Sequence, residues 1–589
     1  MKKKMTVALA TPGIRLCDVS FNLSEIIRTA TEAVRAGAEL VAFPPLTLTG
    51  ATAGDLFRQR ALTRAAEAAL LEYIDAVAEL DIISLVGLPI ADGEGRVYEG
   101  YCMIAGGEML GVNISKSPIP PLDAAPSEAV VLTLGGRKYA AADGLVFTSE
   151  DGTRLIAGAR GEADADILVL PEAVEEYIGA ADLRRRDLLS RRVPVCLYVG
   201  AGEGESGTDG VYSGARCVAE GGRIVAESPL FSTDILYAEI DPSAPVGEGA
   251  PERGYRLVRH PFIPEDPAER DAASALALEI QSRALAGRLE RSFSRTAVIG
   301  VSGGLDSTLA VLVAARAMDR LGRDRKNIIA ITMPAFGTTS RTKSNALALA
   351  EELGCSVRTV DIKAAVEQHF ADIGHDKNNY NVVYENAQAR ERTQILMDVA
   401  NAEGGLVVGT GDLSELALGF ATYNGDHMSM YAVNGSVPKT LMREIIAYEA
   451  RLAKEDGRDR LAEVLLDVIN TPVSPELLPT DGEENGQHTE KIVGPYELHD
   501  FFLYHTVKSG YAPDELLSLT REAFADAYTE EEILSYLEIF CKRFIAQQFK
   551  RSCLPDGPRV TEISLSPRTG YRIPSDAASV VWRDYFKKG

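Results

Sequence analysis

Nowhere does this 589-residue chain offer the roughly 20 consecutive apolar residues that a membrane helix needs, which excludes a helical span. Its start, Met1-Lys2-Lys3-Lys4, runs directly into the strand-like Thr6-Val7-Ala8-Leu9-Ala10, with no apolar region of a secretion signal between them. A cytoplasmic protein is expected. Cysteine is sparse and scattered: the seven residues, at 17, 102, 196, 217, 355, 541 and 553, form no Cys-x-x-Cys pair and have no histidine nearby in ligand spacing. That argues against structural zinc and fits reduced, mostly buried thiols. Positive charge is short as well, with 61 Lys and Arg against 85 Asp and Glu and a formal net charge of −24. Nonspecific binding to nucleic acid or an anionic membrane is therefore unfavourable, and neither is expected as a partner. A final absence is any Gly-Lys-Ser/Thr triplet, so a Walker A loop is excluded.

What is present is enough apolar sequence, 46%, for more than one core. A single core stops growing near 250–300 residues. Two α/β patterns flank a proline- and charge-rich stretch from Asp241 to Arg270, which reads as a linker. The division adopted is a first domain over 1–245, a linker over 246–275 and a second domain over 276–589. In the first, Asn22 is expected to cap a helix running to Ala36, Leu40–Phe43 follows as a strand, and Asp55–Leu80 reads as helix. Strand-like runs recur at Ile82–Leu88, Ile167–Leu170, Val195–Val199 and Ile224–Ala226. The second repeats a parallel β-α logic through Val298–Val301, Ile328–Thr332, Val357–Val360 and Leu406–Val408. The acidic, Gly-rich stretch Pro475–Glu490 reads as a mobile loop.

The most informative stretch is Val298-Ile299-Gly300-Val301-Ser302-Gly303-Gly304-Leu305-Asp306-Ser307. A β-branched run ends in a glycine-rich turn, so consecutive N–H groups at the start of the next helix can face one anion. Ser302 and Ser307 add hydroxyls. Asp306 suits a Mg²⁺ that is itself on phosphate. A second turn, Gly409-Thr410-Gly411-Asp412-Leu413-Ser414-Glu415, follows another buried strand and would bring Glu415 to the sheet edge that carries Asp306. On residues alone, two readings stand equal: Asp306 and Glu415 share a metal, or Asp412 and Glu415 form a capping box. In Tyr384–Arg392, Asn386 and Arg390 share a helix face, and these arginines could simply be solvated.

The run Ser-Gly-Gly-Leu-Asp-Ser resembles the N-type ATP pyrophosphatases, which cut ATP between its α and β phosphates. Together with Asn386–Arg392, Gly409–Glu415, Tyr423-Asn424-Gly425-Asp426, Val437-Pro438-Lys439-Thr440 and Gln548–Ser552, it makes roughly residues 255–589 resemble the NAD⁺ synthetases. The resemblance implies ATP-dependent amidation of deamido-NAD through an adenylate. It implies catalytic roles for Asp306, Glu415 and Lys439, and Mg²⁺ on Asp306 and Glu415. ATP would meet Ser302, Gly303, Gly304, Asp306, Ser307, Met333, Thr410 and Lys439. Deamido-NAD would meet Asn386, Arg390, Asp426 and Lys550, with Arg551 near the substrates. The 475–490 loop would order over the site.

Residues 5–245 resemble the nitrilase-type glutaminase domain of the glutamine-dependent members, an αββα sandwich, through Phe43-Pro44, Leu48-Thr49-Gly50, Gly111-Val112, Lys116 and Gly202-Glu203-Gly204-Glu205-Ser206. Nitrilase-type hydrolysis needs a Glu base, a Lys and a Cys nucleophile. Lys116 stands at the lysine position, but Pro45 replaces the glutamate, and Ala157, within one residue, stands where the cysteine belongs. The expectation is a doubly wound ATP-pyrophosphatase sheet fused to a pseudo-glutaminase that serves homo-oligomer assembly, in an enzyme that runs on free ammonia. The alternatives are glutamine use through an atypical site, or another amidotransferase with the same phosphate loop.

Overall fold

Strand Met5–Leu9 pairs in parallel with Leu40–Ala42, which pairs in parallel with Ile83–Ala91, and each step is taken by a chain segment that carries a helix. These strands sit inside an eight-stranded sheet of order Leu236–Ile240, Met5–Leu9, Leu40–Ala42, Ile83–Ala91, Val97–Ala105, Glu108–Ile114, Arg137–Ala142, Val130–Leu134. A second, six-stranded sheet runs Arg223–Glu227, Arg216–Glu220, Val195–Gly200, Ile167–Glu172, Arg154–Ala157, Phe147–Thr148. Alternation along the strands explains the layers. Val7, Leu9, Leu40, Leu85 and Tyr101 meet Leu155, Ile167, Val169, Leu197 and Val218 in one inter-sheet core. The intervening residues, such as Ala8, Val41, Val86 and Cys102, pack under helices Val19–Arg35 and Arg60–Ala76. Leu168, Cys196 and Cys217 pack with Leu188 of helix Ala180–Ser190. The result is an αββα sandwich.

This computed structural model describes residues 3–158, 164–250, 254, 256–336, 340–471 and 494–587. The chain forms two units, Met1–Ser206 with Val211–Gly254, and Gly207–Gly210 with Tyr255–Gly589. The loop read at 475–490 lies outside the described residues. No described helix is long and apolar enough to cross a membrane, and all seven cysteines are free thiols.

Two helices of the first unit differ from the sequence reading. Asp18, not Asn22, caps the first: its carboxylate accepts from Phe21 N at 3.2 Å, and the helix starts at Val19. Asn22 is fully buried one turn inside, where its side chain accepts from Arg15 N and donates to the carbonyls of Arg15 and Leu48. It ties a loop rather than a helix end. The span 55–80 is a 3₁₀ turn, Gly54–Arg58, followed by helix Arg60–Ala76. The conspicuous Gly204-Glu205 pair has a structural role: the buried Glu205 carboxylate accepts from Ala51 N at 2.7 Å and Thr52 N at 3.0 Å. Gly204 has φ +103°, and a Cβ there would lie 1.9 Å from Ile14 O.

The second unit is built on a five-stranded, all-parallel sheet of order Ser356–Thr359, Ile328–Thr332, Ala297–Gly300, Leu406–Gly409, Tyr431–Ala432. The chain starts at Ala297–Gly300, moves outward to Ile328 and Ser356, then returns to the other side of its first strand at Leu406. The order reverses between Ala297–Gly300 and Leu406–Gly409, where open parallel sheets form a crevice. Helix Leu305–Arg320 is buried on nearly every side, which its run of Leu, Val and Ala permits. Helix Pro267–Arg291 begins within the stretch read as linker, with Asp266 as N-cap and Pro267 at the first position.

Candidate active site

Both glycine-rich turns leave the sheet at that switch point. Gly303 takes φ +87°, a conformation that favours glycine, and Gly304 then caps helix Leu305–Arg320 in an extended conformation. The Ser302 and Ser307 hydroxyls lie 3.3 Å apart, and Gly304 N donates to Ser302 Oγ at 3.2 Å.

Across the crevice, Asp412 caps helix Leu413–Leu418 through Oδ1, which accepts from Glu415 N at 3.0 Å. The cap of the capping-box reading is present. Its second half is not, because the Glu415 carboxylate accepts from Lys439 Nζ at 3.0 Å instead of returning to the cap. Asp306, Asp412 and Glu415 each bring an oxygen within 4.8 Å of one another. Lys439 Nζ lies 2.7 Å from Asp306, 2.6 Å from Asp412 and 3.0 Å from Glu415. Asp412 Oδ2 is buried and lies off the line of a hydrogen bond despite that short approach. Such an atom, in a set of three hard carboxylate oxygens, suits Mg²⁺.

Three carboxylates sharing one ammonium set the local electrostatics. Burial, opposed by Lys439 and reinforced by Asp412, pushes Asp306 up to about 6. Burial likewise raises Glu415. Burial alone would pull the Lys439 ammonium down, but Asp306, Asp412 and Glu415 outweigh it and hold Lys439 well above its ordinary value. The Tyr496 ring lies 5.4 Å from Nζ.

Several residues that hold this arrangement went unread in the sequence. Asn434, fully buried, donates to the carbonyls of Asp306 at 3.0 Å and Thr410 at 3.1 Å, fastening the two turns together. Gln281 in turn donates to Asn434 Oδ1 and to Val433 O. Asp500 accepts from Ser414 Oγ, Thr440 N and Thr440 Oγ1, and Ser414 Oγ accepts from Lys439 N at 2.8 Å. The carboxylate helix and the start of helix Lys439–Glu455 are thereby clamped together.

A cavity of about 360 Å³ opens here, lined among others by Ser302, Gly304, Asp306, Ser307, Met333, Thr410, Glu415, Asp426, His427 and Lys439.

The model for NAD synthase matches residues 278–533, and the model for carbon-nitrogen hydrolase matches residues 6–244. A glutamine-dependent NAD(+) synthetase of Mycobacterium leprae is 34% identical, covering 99% of this chain and 97% of its own length. One from Mycobacterium tuberculosis is 35% identical over 98% of this chain and 97% of its own length. The chain belongs to the glutamine-dependent NAD⁺ synthetase family. Among solved structures, the glutamine-dependent NAD(+) synthetase of Cytophaga hutchinsonii superposes with a TM-score of 0.78 at 18% identity, covering 98% of this chain and 99% of that one. The Acinetobacter baumannii enzyme, solved with ADP, gives 0.62 at 20% identity over 97% and 98%. These structural likenesses bear on the fold, and they agree with the fused nitrilase-like and doubly wound architecture.

Within this family frame, the residues read as a dinucleotide site divide. Asp426 lines the cavity, is raised by burial, and accepts from Thr422 N at 2.7 Å. Asn386, Arg390 and Lys550 do not line it. They grip the neighbouring loop: Asn386 accepts from Thr422 Oγ1, Arg390 donates to Tyr423 O, and Lys550 donates to the carbonyls of Gly419 and Ala421. Arg551 is not a surface cation. It is 1% exposed and donates to the carbonyls of Leu416, Ala417 and Phe544, which terminates helix Leu413–Leu418. Truncating it strands those buried acceptors. Arg551→Met is expected to cost roughly 2–4 kcal/mol, read as a lower urea midpoint for the full chain. An unchanged midpoint would show that the guanidinium carries no structural weight.

In the first unit, a small cavity of about 90 Å³ lies at the carboxyl ends of strands Arg154–Ala157 and Ile167–Glu172. Pro45 lines it. Lys116 does not: it turns outward, 65% exposed, and pairs with Asp143 at 2.9 Å, while Ser115 and Ser117 line the wall. The Ala157 side chain is fully buried in the inter-sheet core, and within the one-residue margin of the reading it is Gly158 that lines the cavity. Glu99 and Glu172 are the acidic residues of the described lining, and no thiol is among it. Cys102 and Cys196 belong to the outer, helix-facing layers, where burial pushes both thiols up.

Proposed function

We propose that this chain forms NAD⁺ by ATP-dependent amidation of deamido-NAD, through an adenylate, with release of AMP and pyrophosphate. The observation that carries the reading is the gathering of Asp306, Asp412, Glu415 and Lys439 beside the Ser302–Ser307 turn at the sheet's switch point. A carboxylate is a poor electrophile, and adenylation turns one of its oxygens into part of a good leaving group. In this reading Ser302, Gly303, Gly304, Ser307 and Thr410 bind the phosphates, and Met333 lies beside the adenine. Asp426 faces the dinucleotide, with Asn386, Arg390 and Lys550 shaping the loop that meets it. Asp306, Asp412 and Glu415 would hold a Mg²⁺, which supplies charge neutralisation for the departing pyrophosphate. Lys439 adds a positive charge on the same side.

The proposed nitrogen source is ammonia from solution, because Pro45, Gly158 and the thiol-free lining offer the first unit no base–nucleophile pair. The names of the relatives favour the second reading, glutamine. In the ammonia reading the first unit serves assembly of a homo-oligomer.

With deamido-NAD, ATP, Mg²⁺ and ammonium, NAD⁺, AMP and pyrophosphate should form in equal amounts. ADP and phosphate as products, or no dependence on deamido-NAD, would refute the reading.

A further inference from the structure

Lys439 is the most enclosed cation of the second unit's site, with a side chain only 4% exposed. Its backbone is anchored on both sides, by Lys439 N on Ser414 Oγ and by Thr440 on Asp500. The four-carbon stem and its ammonium are what remain able to turn. Nζ sits within hydrogen-bond distance of an oxygen from each of Asp306 and Glu415, and within 2.6 Å of Asp412 Oδ2. The same oxygens are the candidate ligands of a divalent ion. An ion at about 2.1 Å from those oxygens would press a double charge against the ammonium inside a poorly screened cavity. The two cations cannot share these oxygens in this arrangement.

We propose that Lys439 is the resident counter-ion of the Asp306, Asp412 and Glu415 triad and competes with divalent metal for it, so that metal binds tightly only alongside a polyphosphate that takes up the ammonium. The receiving position lies in the same cavity: Ser302, Gly304, Ser307 and Thr410 line it beside Lys439 and offer hydroxyls and backbone amides to an anion. A phosphate chain laid on that turn gives the ammonium a second set of oxygens. The stem then swings from carboxylate to phosphate and the triad becomes available. Nucleotide and metal affinities are thereby coupled, each raising the other. The inference rests on ATP as the cosubstrate. Its test needs no turnover of deamido-NAD, so failure of the proposed reaction and failure of the counter-ion role are separable.

The experiment is titration of the full-length protein with Mn²⁺, followed by electron paramagnetic resonance of the free ion. It is run without nucleotide and then with α,β-methylene-ATP, corrected for Mn²⁺ held by the analogue in solution. Without nucleotide, Lys439→Gln should bind Mn²⁺ about tenfold or more tightly than the unmodified chain. With the analogue the order should reverse, because the variant has lost its contact with phosphate. Lys439→Arg keeps the charge and should bind Mn²⁺ alone no more tightly than the unmodified chain. Adding Asp412→Asn to Lys439→Gln should abolish the gain, which locates it at the triad. Circular dichroism melts establish that each variant is folded, and if Lys439→Gln is not, the Arg variant carries the test. Unchanged or weaker Mn²⁺ binding by folded Lys439→Gln, or tighter binding by Lys439→Arg, would overturn the counter-ion role.

Discussion

Asp306→Ala, and separately Glu415→Ala, should lower Mg²⁺-dependent pyrophosphate release by at least about 10²–10³-fold, the range seen when one preorganised electrostatic contact to a developing charge is removed. The pyrophosphate leaves as a polyanion from a chain whose net charge is already −24, so compensation has to be local. Asp306→Asn and Glu415→Gln keep the shape and remove only the charge, so they should fall nearly as far. The measurement is a coupled pyrophosphate assay under saturating deamido-NAD and ATP. Near-normal rates from both alanine variants would reduce these carboxylates to helix-end groups and remove the basis of the proposed phosphate chemistry.

The legible parts of the site were those written contiguously. Ser302–Ser307 and Gly409–Glu415 each follow a buried β-branched strand, so a parallel sheet alone places them at one edge, and the strand boundaries read from periodicity fall within a residue or two of those found. Of the two readings of these turns, the cap is present at Asp412, while the sharing of a metal by Asp306 and Glu415 stays a proposal. Asp412 spends one oxygen on Glu415 N and turns the other toward Lys439. What periodicity could not reveal is pairing across long separations. Asn434 reaches carbonyls 128 and 24 residues away, and Asp500 meets Ser414 across 86. In sequence, an isolated Asn in a turn, such as Asn434, or an isolated Asp on an apolar helix, such as Asp500, carries no mark of such a partner. The burial of Arg551 was unmarked for the same reason, since two of its carbonyl partners, Leu416 and Ala417, lie 135 and 134 residues away. In the first unit Pro45 lines the small cavity, whereas the inward turn of Ala157 depends on pleat direction, which a single residue's slip reverses, and the outward turn of Lys116 is set in the bend that follows strand Glu108–Ile114.

With glutamine as the only nitrogen source and ammonium rigorously removed, NAD⁺ formation should fall to background, and no glutamate should appear. Loss of a covalent nucleophile costs on the order of 10⁶-fold in kcat in well-studied hydrolases, and here a proline also stands at the base position. The carboxylates of Glu99 and Glu172 do not repair this, since the described lining offers as nucleophiles only the hydroxyls of Ser115, Ser117 and Tyr101, and the Tyr101 hydroxyl is spent on Phe43 O. Reinstating the lost pair should not rescue glutamine use. In Pro45→Glu with Ala157→Cys, the new thiol would leave Cβ into the inter-sheet core beside Leu155 and Val169, not toward the cavity. Lys116 would still be paired outside with Asp143. Catalytic groups need placement within about 0.5 Å, supplied by a supporting shell. With ammonium, by contrast, the rate should rise as pH is raised toward roughly 9 at fixed total ammonium, because only the unprotonated amine has the lone pair that attacks the adenylate. Glutamate released in step with NAD⁺ by the unmodified chain would end the ammonia reading and return this protein to the chemistry its relatives' names describe.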